Sequence, residues 1–418
     1  MGKYYIKGGK KLSGKVHISG AKNAVLPILA ASVITKGENC FQSCPEISDV
    51  DSMIKILNAL GCKVTREDQT LIVDATKLSE CKIPESLMKE MRSSVFLAGS
   101  LLARCGEAEI SNPGGCCIGK RPIDIHVKGL QKLGAEVIQT EDRIHIKGKN
   151  LKGADIYLEF PSVGATENLM LAAIAAKGET VIKNAAKEPE IVALASYVND
   201  CGGQISGAGT STLRIKGGTE LRGCTTKIIP DRIEAGTYML MMLGTDGDGF
   251  IEGIGEEYLI PLIKVLRKGG HHIYEKDGGL RVSSNVTGKI CCNVSTGPYP
   301  GFPTDLQPQL AAFLTKSGQG SRVIENIFER RFNYAKQLIK MGADIEIYQK
   351  EVIIKSNNIL YGAEVCAEDL RGGAALVIAG LMAEGCTVIN DTKYIERGYG
   401  KLAQKIKELG GDIIEDER

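Results

Sequence analysis

The sequence predicts an α/β protein of two domains, each built from three copies of one repeated unit. Its 418 residues allow two or three domains at about 150 residues each. Hydrophobic residues make up 43% of the chain and charged residues 24%, as in a globular protein with a large core. Two short sequence patterns recur six times, and they define the repeat.

The first pattern is an apolar residue, a glycine and a strand-like run, as in Leu60-Gly61-Cys62-Lys63-Val64. An amphipathic stretch precedes it, as in Ile125–Leu133 and Leu402–Leu409, and predicts a helix with one exposed face. The glycine is typical of a left-handed residue just after a helix. It occurs at Gly61, Gly134, Gly202, Gly270, Gly342 and Gly410, with spacings of 73, 68, 68, 72 and 68 residues. Randomly placed glycines would not keep so regular a period.

The second pattern is a helix of small apolar residues, then a glycine, then a strand. Because apolar residues cover most of its circumference, this helix is predicted to be buried. The strand behind it is β-branched or aliphatic in five copies, as in Glu179-Thr180-Val181-Ile182. The six copies are Ala24–Lys36, Ser93–Cys105, Thr166–Lys177, Ala235–Gly244, Leu306–Lys316 and Gly372–Glu384.

Each repeat of about 70 residues therefore holds two helices and about four strands, more than common solenoid repeats contain. We expect two domains of three repeats, divided near Pro230. The first domain is assigned to residues 22–229, and it includes a loop at 112–122. The second is assigned to residues 1–21 plus 230–418, although the N-terminal strand region Lys3–Ser19 could pair with either domain.

Charge and composition exclude several classes of protein. The net charge is +2, from 52 basic and 50 acidic residues, and aromatic residues are only 5% with no Trp. Neither a basic footprint nor base-stacking platforms for nucleic acid are expected. The N-terminal residues lack the apolar stretch of a signal peptide, and the apolar runs are shorter than the roughly 20 residues of a membrane span. We expect a cytoplasmic protein with no membrane partner.

The thirteen cysteines are interpreted mainly as small buried hydrophobic residues in a reducing compartment. Cys62, Cys105 and Cys386 lie in apolar or strand-like runs that favour this interpretation. Cys40 and Cys44 are spaced C-x-x-x-C, but no second Cys or His pair lies nearby. We expect neither a metal nor a cofactor.

Polar and charged residues gather where the predicted buried helices begin. If each domain has pseudo-threefold symmetry, equivalent helix starts lie at one end of the domain. Helix N-termini attract anions, so the cations Lys22, Arg92 and Arg371 would complete an anion site. The alternative is simple N-capping, for which four residues at these starts have suitable side chains: Ser162, Thr304, Asp305 and Asp369.

A loop at residues 113–126 contains Cys116 and Cys117, followed by Lys120 and Arg121. Cations close to a thiol favour the thiolate, so this loop is typical of a reactive cysteine. A turn that merely carries small residues is the alternative. His126 follows in sequence but could face away. Dinucleotide-binding, P-loop and zinc-protease motifs are missing from the sequence.

Five segments resemble the UDP-N-acetylglucosamine enolpyruvyl transferases, and the match runs from the first residues to about Gly411. The segments are Gly20-Ala21-Lys22-Asn23-Ala24, Pro113 to Pro122, Phe302-Pro303-Thr304-Asp305, Asp369-Leu370-Arg371 and Glu396-Arg397-Gly398-Tyr399. The resemblance implies a two-domain inside-out α/β barrel that closes over its substrates. It also implies transfer of the enolpyruvyl group of phosphoenolpyruvate to the 3′-hydroxyl of UDP-N-acetylglucosamine, the first committed step of peptidoglycan synthesis.

The resemblance assigns a role to each matching residue. Cys116 matches the proton donor, which also forms a covalent adduct in the family, and Asp305 matches the general base. Lys22, Arg121 and Arg397 match the phosphate site, while Arg331 and Arg371 are candidates for the substrate carboxylate. The matching positions for the nucleotide sugar and the remaining substrate contacts are Asn23, Arg92, Arg121, Pro122, Ile123, Asp124, Ile125, Ser162, Val163, Gly164, Ile327 and Asp369. Glu188 and Asp231 fall in matching segments.

Two other functions stay open at this point. An enzyme of the same fold that acts on shikimate phosphate would lack the loop cysteine, so Cys116 argues against it. A non-catalytic sensor of sugar nucleotides would tolerate the loss of Asp305 or Arg397, and both are present. The extra Cys117 leaves open which of the two thiols reacts, and the oligomeric state is not predicted.

Overall fold

The computed structural model describes residues 2–90, 95–111, 123–141, 143–285, 291–318, 320–355 and 359–416. Its helices are α1 (Lys22–Ser32), α2 (Ser48–Ala59), α3 (Glu85–Glu90), α4 (Phe96–Cys105), α5 (Asp124–Lys132), α6 (Val163–Ala173), α7 (Pro189–Asp200), α8 (Arg232–Gly244), α9 (Ile260–Lys268), α10 (Gln307–Ser317), α11 (Asn333–Lys340), α12 (Leu370–Met382), α13 (Lys393–Glu396) and α14 (Leu402–Glu408). Within the described ranges, no helix has the length and apolarity of a membrane span.

The strands are short, at three to five residues each. They are β1 (Lys3–Lys7), β2 (Ser13–His17), β3 (Glu38–Gln42), β4 (Lys63–Glu67), β5 (Thr70–Asp74), β6 (Glu107–Ser111), β7 (Glu136–Gln139), β8 (Arg143–Lys147), β9 (Asp155–Tyr157), β10 (Glu179–Lys183), β11 (Gln204–Ser206), β12 (Thr212–Lys216), β13 (Thr225–Lys227), β14 (Asp248–Glu252), β15 (His272–Lys276), β16 (Gly279–Ser283), β17 (Asn293–Ser295), β18 (Ser321–Ile324), β19 (Ile345–Ile347), β20 (Glu351–Ile354), β21 (Glu364–Cys366), β22 (Cys386–Asn390) and β23 (Asp412–Asp416).

The described residues separate into two compact units. Of the described residues, the first unit contains those from 20 to 111 and from 123 to 229, and the second contains those from 2 to 19 and from 230 to 416. Each unit has its own hydrophobic core. The sheets of the first unit have the orders β13-β3-β5-β4, β6-β8-β7 and β11-β12-β10-β9. Those of the second have the orders β21-β22-β1-β23, β15-β16-β14-β2 and β17-β18-β20-β19.

The N-terminal strands belong to the second unit. Strand β1 lies between β22 and β23 and is antiparallel to both, with Tyr5 opposite Val388. Strand β2 pairs in parallel with β14. This pairing settles the question that the sequence left open for Lys3–Ser19.

The six apolar helices predicted from the sequence are the buried centres of the two units. In the second unit α8, α10 and α12 pack against one another, and in the first α4 packs against α1 and α6. Every residue of α8 is buried, as is every residue of α12 from Arg371 to Leu381. Since burial of one Leu or Ile side chain contributes roughly 1.5–3 kcal/mol to the free energy of folding, these helices supply much of the hydrophobic stabilisation of the two cores.

The prediction of six left-handed glycines is confirmed. The outer helices are α2, α5, α7, α9, α11 and α14, and each glycine lies two residues after the last residue of one of them. Their φ angles are between 83° and 99°, at Gly61, Gly134, Gly202, Gly270, Gly342 and Gly410. A glycine adopts this conformation without the steric cost that a Cβ atom would bring. The chain can therefore turn from each outer helix directly into the next strand.

The interpretation of the cysteines is wrong for two of the three residues named above. Cys62 is buried, but Cys386 is exposed because alternation along β22 directs Thr387 and Ile389 inward instead. Cys105 ends α4 and is disulfide-bonded to Cys81, which lies 24 residues earlier in the chain. No local pattern in the sequence could pair these two residues.

Candidate active site

In the second unit, the carboxylate of Asp305 accepts hydrogen bonds from two buried arginines. Asp305 lies in a single 3-10 turn, Thr304–Leu306, directly before α10. Arg331 donates from Nη2 to Oδ1 at 2.8 Å, and Arg371, in the first turn of α12, donates from Nη2 to Oδ2 at 3.1 Å. Both arginines are only 3% exposed. The predicted general base and the two predicted carboxylate ligands therefore form one cluster.

This cluster changes the acidity of Asp305. Burial alone would raise the pKa of its carboxyl group, but the charges and hydrogen bonds of Arg371 and Arg331 outweigh burial. The pKa of Asp305 is thus held well below its ordinary value, and the group is a carboxylate at neutral pH. The Nε atom of Arg331 is buried and has no hydrogen-bond partner among the described residues. Its guanidinium group also lies 4.9 Å from the ring centre of Phe328.

One buried acidic residue, Glu325, connects the segments that carry these groups. Its Oε2 accepts a hydrogen bond from Thr304 Oγ1 at 2.8 Å, next to Asp305. Its Oε1 accepts from the backbone N–H groups of Ile327 and Phe328 at 2.8 and 3.0 Å, and from Thr296 Oγ1 at 3.0 Å. Glu325 therefore holds both the Asp305 turn and the loop of Ile327. Sequence reasoning missed it, because a single acidic residue after a strand forms no motif.

The capping alternative holds for two of the four residues proposed for it. The Ser162 hydroxyl accepts from Ala165 N–H, and Asp369 accepts from the N–H groups of Arg371 and Gly372. Thr304 and Asp305 are not N-caps, because their side chains are directed to Glu325 and to the arginines. Asp369 fixes the first turn of α12, from which Arg371 projects.

Arg397 lies directly after α13 and is half-buried. It is two residues before Tyr399, which is 1% exposed and contacts Arg371. The predicted phosphate ligand thus belongs to the same unit as Asp305 and Arg331.

In the first unit, the predicted phosphate ligand Lys22 is the first residue of α1 and pairs with Asp49. The distance from Lys22 Nζ to Asp49 Oδ2 is 2.7 Å, with side-chain exposures of 11% and 7%. Asp49 lies in the first turn of α2, and sequence reasoning did not single it out. Asn23 follows Lys22 on α1 and is partly exposed.

The predicted sugar-nucleotide segments of this unit lie at the starts of two packed helices. Ile123 precedes α5, which begins with Asp124 and Ile125, and Ser162 precedes α6, which begins with Val163 and Gly164. His126 faces α6, with its Nδ1 3.1 Å from Asn168 Nδ2. Burial lowers the pKa of His126 to about 4, so the neutral ring accepts the amide hydrogen.

Four predicted site residues lie outside the described residues. These are Arg92, Cys116, Arg121 and Pro122. The neighbouring Cys117 and Lys120 are outside them as well.

Comparison with known proteins identifies the family. The model of the EPSP synthase (3-phosphoshikimate 1-carboxyvinyltransferase) family matches residues 6–406. A protein of Caldanaerobacter subterraneus named UDP-N-acetylglucosamine 1-carboxyvinyltransferase 2 is 47% identical over 414 residues, covering 99% of both chains. The chain belongs to the EPSP synthase family, and within it to the UDP-N-acetylglucosamine 1-carboxyvinyltransferases.

Other relatives of this family agree. The UDP-N-acetylglucosamine 1-carboxyvinyltransferase of Halothermothrix orenii is 46% identical over 413 residues, covering 99% of both chains. The crystal structure of the enolpyruvyl transferase NikO from Streptomyces tendae has a TM-score of 0.90 and 22% identity, covering 99% of this chain and 98% of that chain. This structural similarity shows the fold. The resemblance and the fold class inferred from the sequence are both confirmed.

Proposed function

We propose that this carboxyvinyltransferase moves the enolpyruvyl group of phosphoenolpyruvate to the 3′-hydroxyl of UDP-N-acetylglucosamine and releases phosphate. The observation that carries the residue assignments is the pair of buried guanidinium groups on Asp305. Arg331 and Arg371 together bring two positive charges to one carboxylate. A site of this charge favours a second carboxylate, and arginine's planar fork suits one. Phosphoenolpyruvate supplies that group.

The same geometry raises a problem for a general base. A carboxylate whose pKa is strongly lowered is a weak base, and Asp305 is in that state while both arginines donate to it. We infer that the substrate carboxylate takes over these hydrogen bonds from Arg331 and Arg371. The loss of two donors and the arrival of a negative charge both raise the pKa of Asp305. Binding of phosphoenolpyruvate would then activate the base that the reaction needs.

The proposed reaction is an addition followed by an elimination. In the addition, Asp305 takes the proton of the sugar hydroxyl, and the hydroxyl oxygen bonds to C2 of phosphoenolpyruvate. The thiol of Cys116 donates a proton to C3, which gives a tetrahedral ketal that still carries the phosphate. In the elimination, the thiolate left at Cys116 takes a proton from C3 and the C2–O bond to phosphate breaks, so the double bond returns. Asp305 releases its proton with the departing phosphate. The final products are enolpyruvyl-UDP-N-acetylglucosamine and phosphate.

The phosphate group is assigned to Lys22, Arg121 and Arg397. Asp49 holds the Lys22 ammonium at the start of α1, where the helix N-terminus also favours an anion. Fixed cations are most useful in the elimination, because negative charge develops on the departing phosphate. The predicted cytoplasmic location remains a prediction.

A phosphate-release assay with each substrate omitted in turn tests this proposal. Phosphate should appear only when phosphoenolpyruvate and UDP-N-acetylglucosamine are both present. Shikimate 3-phosphate serves as the competing acceptor. If phosphoenolpyruvate releases phosphate with shikimate 3-phosphate but not with UDP-N-acetylglucosamine, the protein has the other activity of the EPSP synthase family. Binding of the sugar nucleotide without phosphate release would instead support the non-catalytic sensor.

A further inference from the structure

A buried group of polar side chains meets at the centre of the second unit, behind Arg371. Thr237 of α8, Gln309 of α10 and Arg371 of α12 all contact the phenol oxygen of Tyr399. The distances are 2.9, 3.1 and 3.3 Å, respectively. The four residues are between 0% and 3% exposed. Each of the three central helices thus contributes one polar side chain to a single oxygen atom.

The hydrogen-bonding capacity of that oxygen is completely used. Thr237 Oγ1 donates its own hydrogen to the carbonyl of Ile233 at 2.7 Å, so it accepts the hydrogen of Tyr399. The two lone pairs of the phenol oxygen then accept from Gln309 Nε2 and Arg371 Nη1. Burial raises the pKa of Tyr399, so the phenol keeps the proton that this arrangement requires.

The contact with Arg371 determines where its guanidinium group points. Nη1 donates to Tyr399 and Nη2 donates to Asp305, while the guanidinium carbon lies 5.6 Å from the centre of the Tyr399 ring. We propose that Tyr399 is a positioning residue. It holds Arg371 so that Nη2 faces the carboxylate of Asp305 or, after the proposed exchange, the carboxylate of the substrate. This inference rests on the proposed function for its kinetic consequence, but its geometry does not.

The test compares Tyr399→Phe with Tyr238→Phe. Tyr399→Phe keeps the ring under Arg371 but removes the acceptor of Arg371 Nη1, while Gln309 Nε2 keeps its 3.4 Å contact with Thr237 Oγ1. Tyr238, on the same helix as Thr237, is equally buried, and its hydroxyl has no hydrogen-bond partner in the part of the chain that the structure describes. It is therefore a matched control for the loss of a buried phenol hydroxyl.

Tyr399→Phe should raise KM for phosphoenolpyruvate by about tenfold or more, as expected for a lost hydrogen bond to a charged group. KM for UDP-N-acetylglucosamine should change by less than about twofold, because Arg371, which Tyr399 holds, is assigned to the carboxylate of phosphoenolpyruvate. Tyr238→Phe should leave both constants at the wild-type values. Equal changes in both KM values, or no change in Tyr399→Phe, would overturn the proposal.

Crystal structures of the wild type and both variants separate this inference from the proposed function. If the wild type releases no phosphate, the proposed function fails, but the position of Arg371 can still be observed. The contact between Arg371 Nη2 and Asp305 Oδ2 should be lost in Tyr399→Phe and kept in Tyr238→Phe. If both variants keep the contact, Tyr399 does not position Arg371.

Discussion

Replacement of Asp305 by asparagine separates its catalytic role from its structural role. The carboxylate accepts one hydrogen bond from Arg331 and one from Arg371, at 2.8 and 3.1 Å. Asparagine retains one acceptor oxygen, but its amide donates and would face a guanidinium donor. The substitution also removes the negative charge that lies between two positive charges.

The expected cost in stability follows from the burial of this ion pair. Removal of one partner from a fully buried pair costs about 3–5 kcal/mol. Because the Asp305 side chain is 27% exposed, water can compensate part of the loss. We therefore expect a loss of about 2–3 kcal/mol in the free energy of unfolding. The matched control is Asp248→Asn, which breaks a surface pair with Arg281 and should cost at most about 1 kcal/mol.

The expected cost in turnover is larger. Loss of a general base should reduce kcat by about 100-fold or more. Affinity for phosphoenolpyruvate should stay the same or increase, because Asp305 no longer competes for the two arginines. Phosphate release gives kcat, calorimetric titration gives the affinity, and thermal unfolding gives the stability. Near-wild-type turnover would refute the base assignment, and weaker binding of phosphoenolpyruvate would refute the exchange of carboxylates.

Three further predictions follow from the same residues. Because the folded-state pKa of Asp305 is lowered, its carboxylate stabilises the protein above about pH 4, and this contribution disappears as pH falls through the folded pKa. The difference in thermal unfolding midpoint between wild type and Asp305→Asn should therefore be smaller at pH 3 than at pH 7. A difference that does not change with pH would show that the ion pairs of Asp305 do not stabilise the protein. Glu325→Gln replaces one acceptor oxygen by a donor, so kcat/KM should fall by about tenfold while the fold is retained by circular dichroism; unchanged kinetics would remove Glu325 from the site. Fosfomycin, which alkylates the loop cysteine of this family, should label Cys116 in a peptide map, Cys116→Asp should keep some activity without the label, and Cys117→Ser should react normally; label on Cys117 would reverse the assignment.

The prediction of the central helices shows how far local patterns reach. The apolar run Ala24–Lys36 identified α1, but the helix spans Lys22–Ser32. Apolar composition does not mark a helix start that carries a lysine, and the apolar residues Val33 and Ile34 continue the pattern although the helix has ended. Helix ends depend on caps and on contacts with neighbouring strands, which a run of apolar residues does not encode.

The candidate site shows the same division. Arg331 is 26 residues from Asp305 in sequence, and Arg371 is 66 residues away. The resemblance to a family assigned all three residues to the site, but it did not indicate that the base is paired with both arginines. It also did not indicate the tie from Glu325 to the Asp305 turn, because neither a period nor a motif connects Glu325 with Thr304.

The sequence by itself determined the sixfold repeat, the buried and exposed helices and the six left-handed glycines. These features depend on residues close together in the chain, so periodicity and steric preference encode them. Only the tertiary structure decided that β1 pairs between β22 and β23, that Cys81 bonds to Cys105, and that Asp305 is held as a weak base by two arginines. Partners and pKa values depend on which distant segments pack together, because charge and burial act through space and not along the chain.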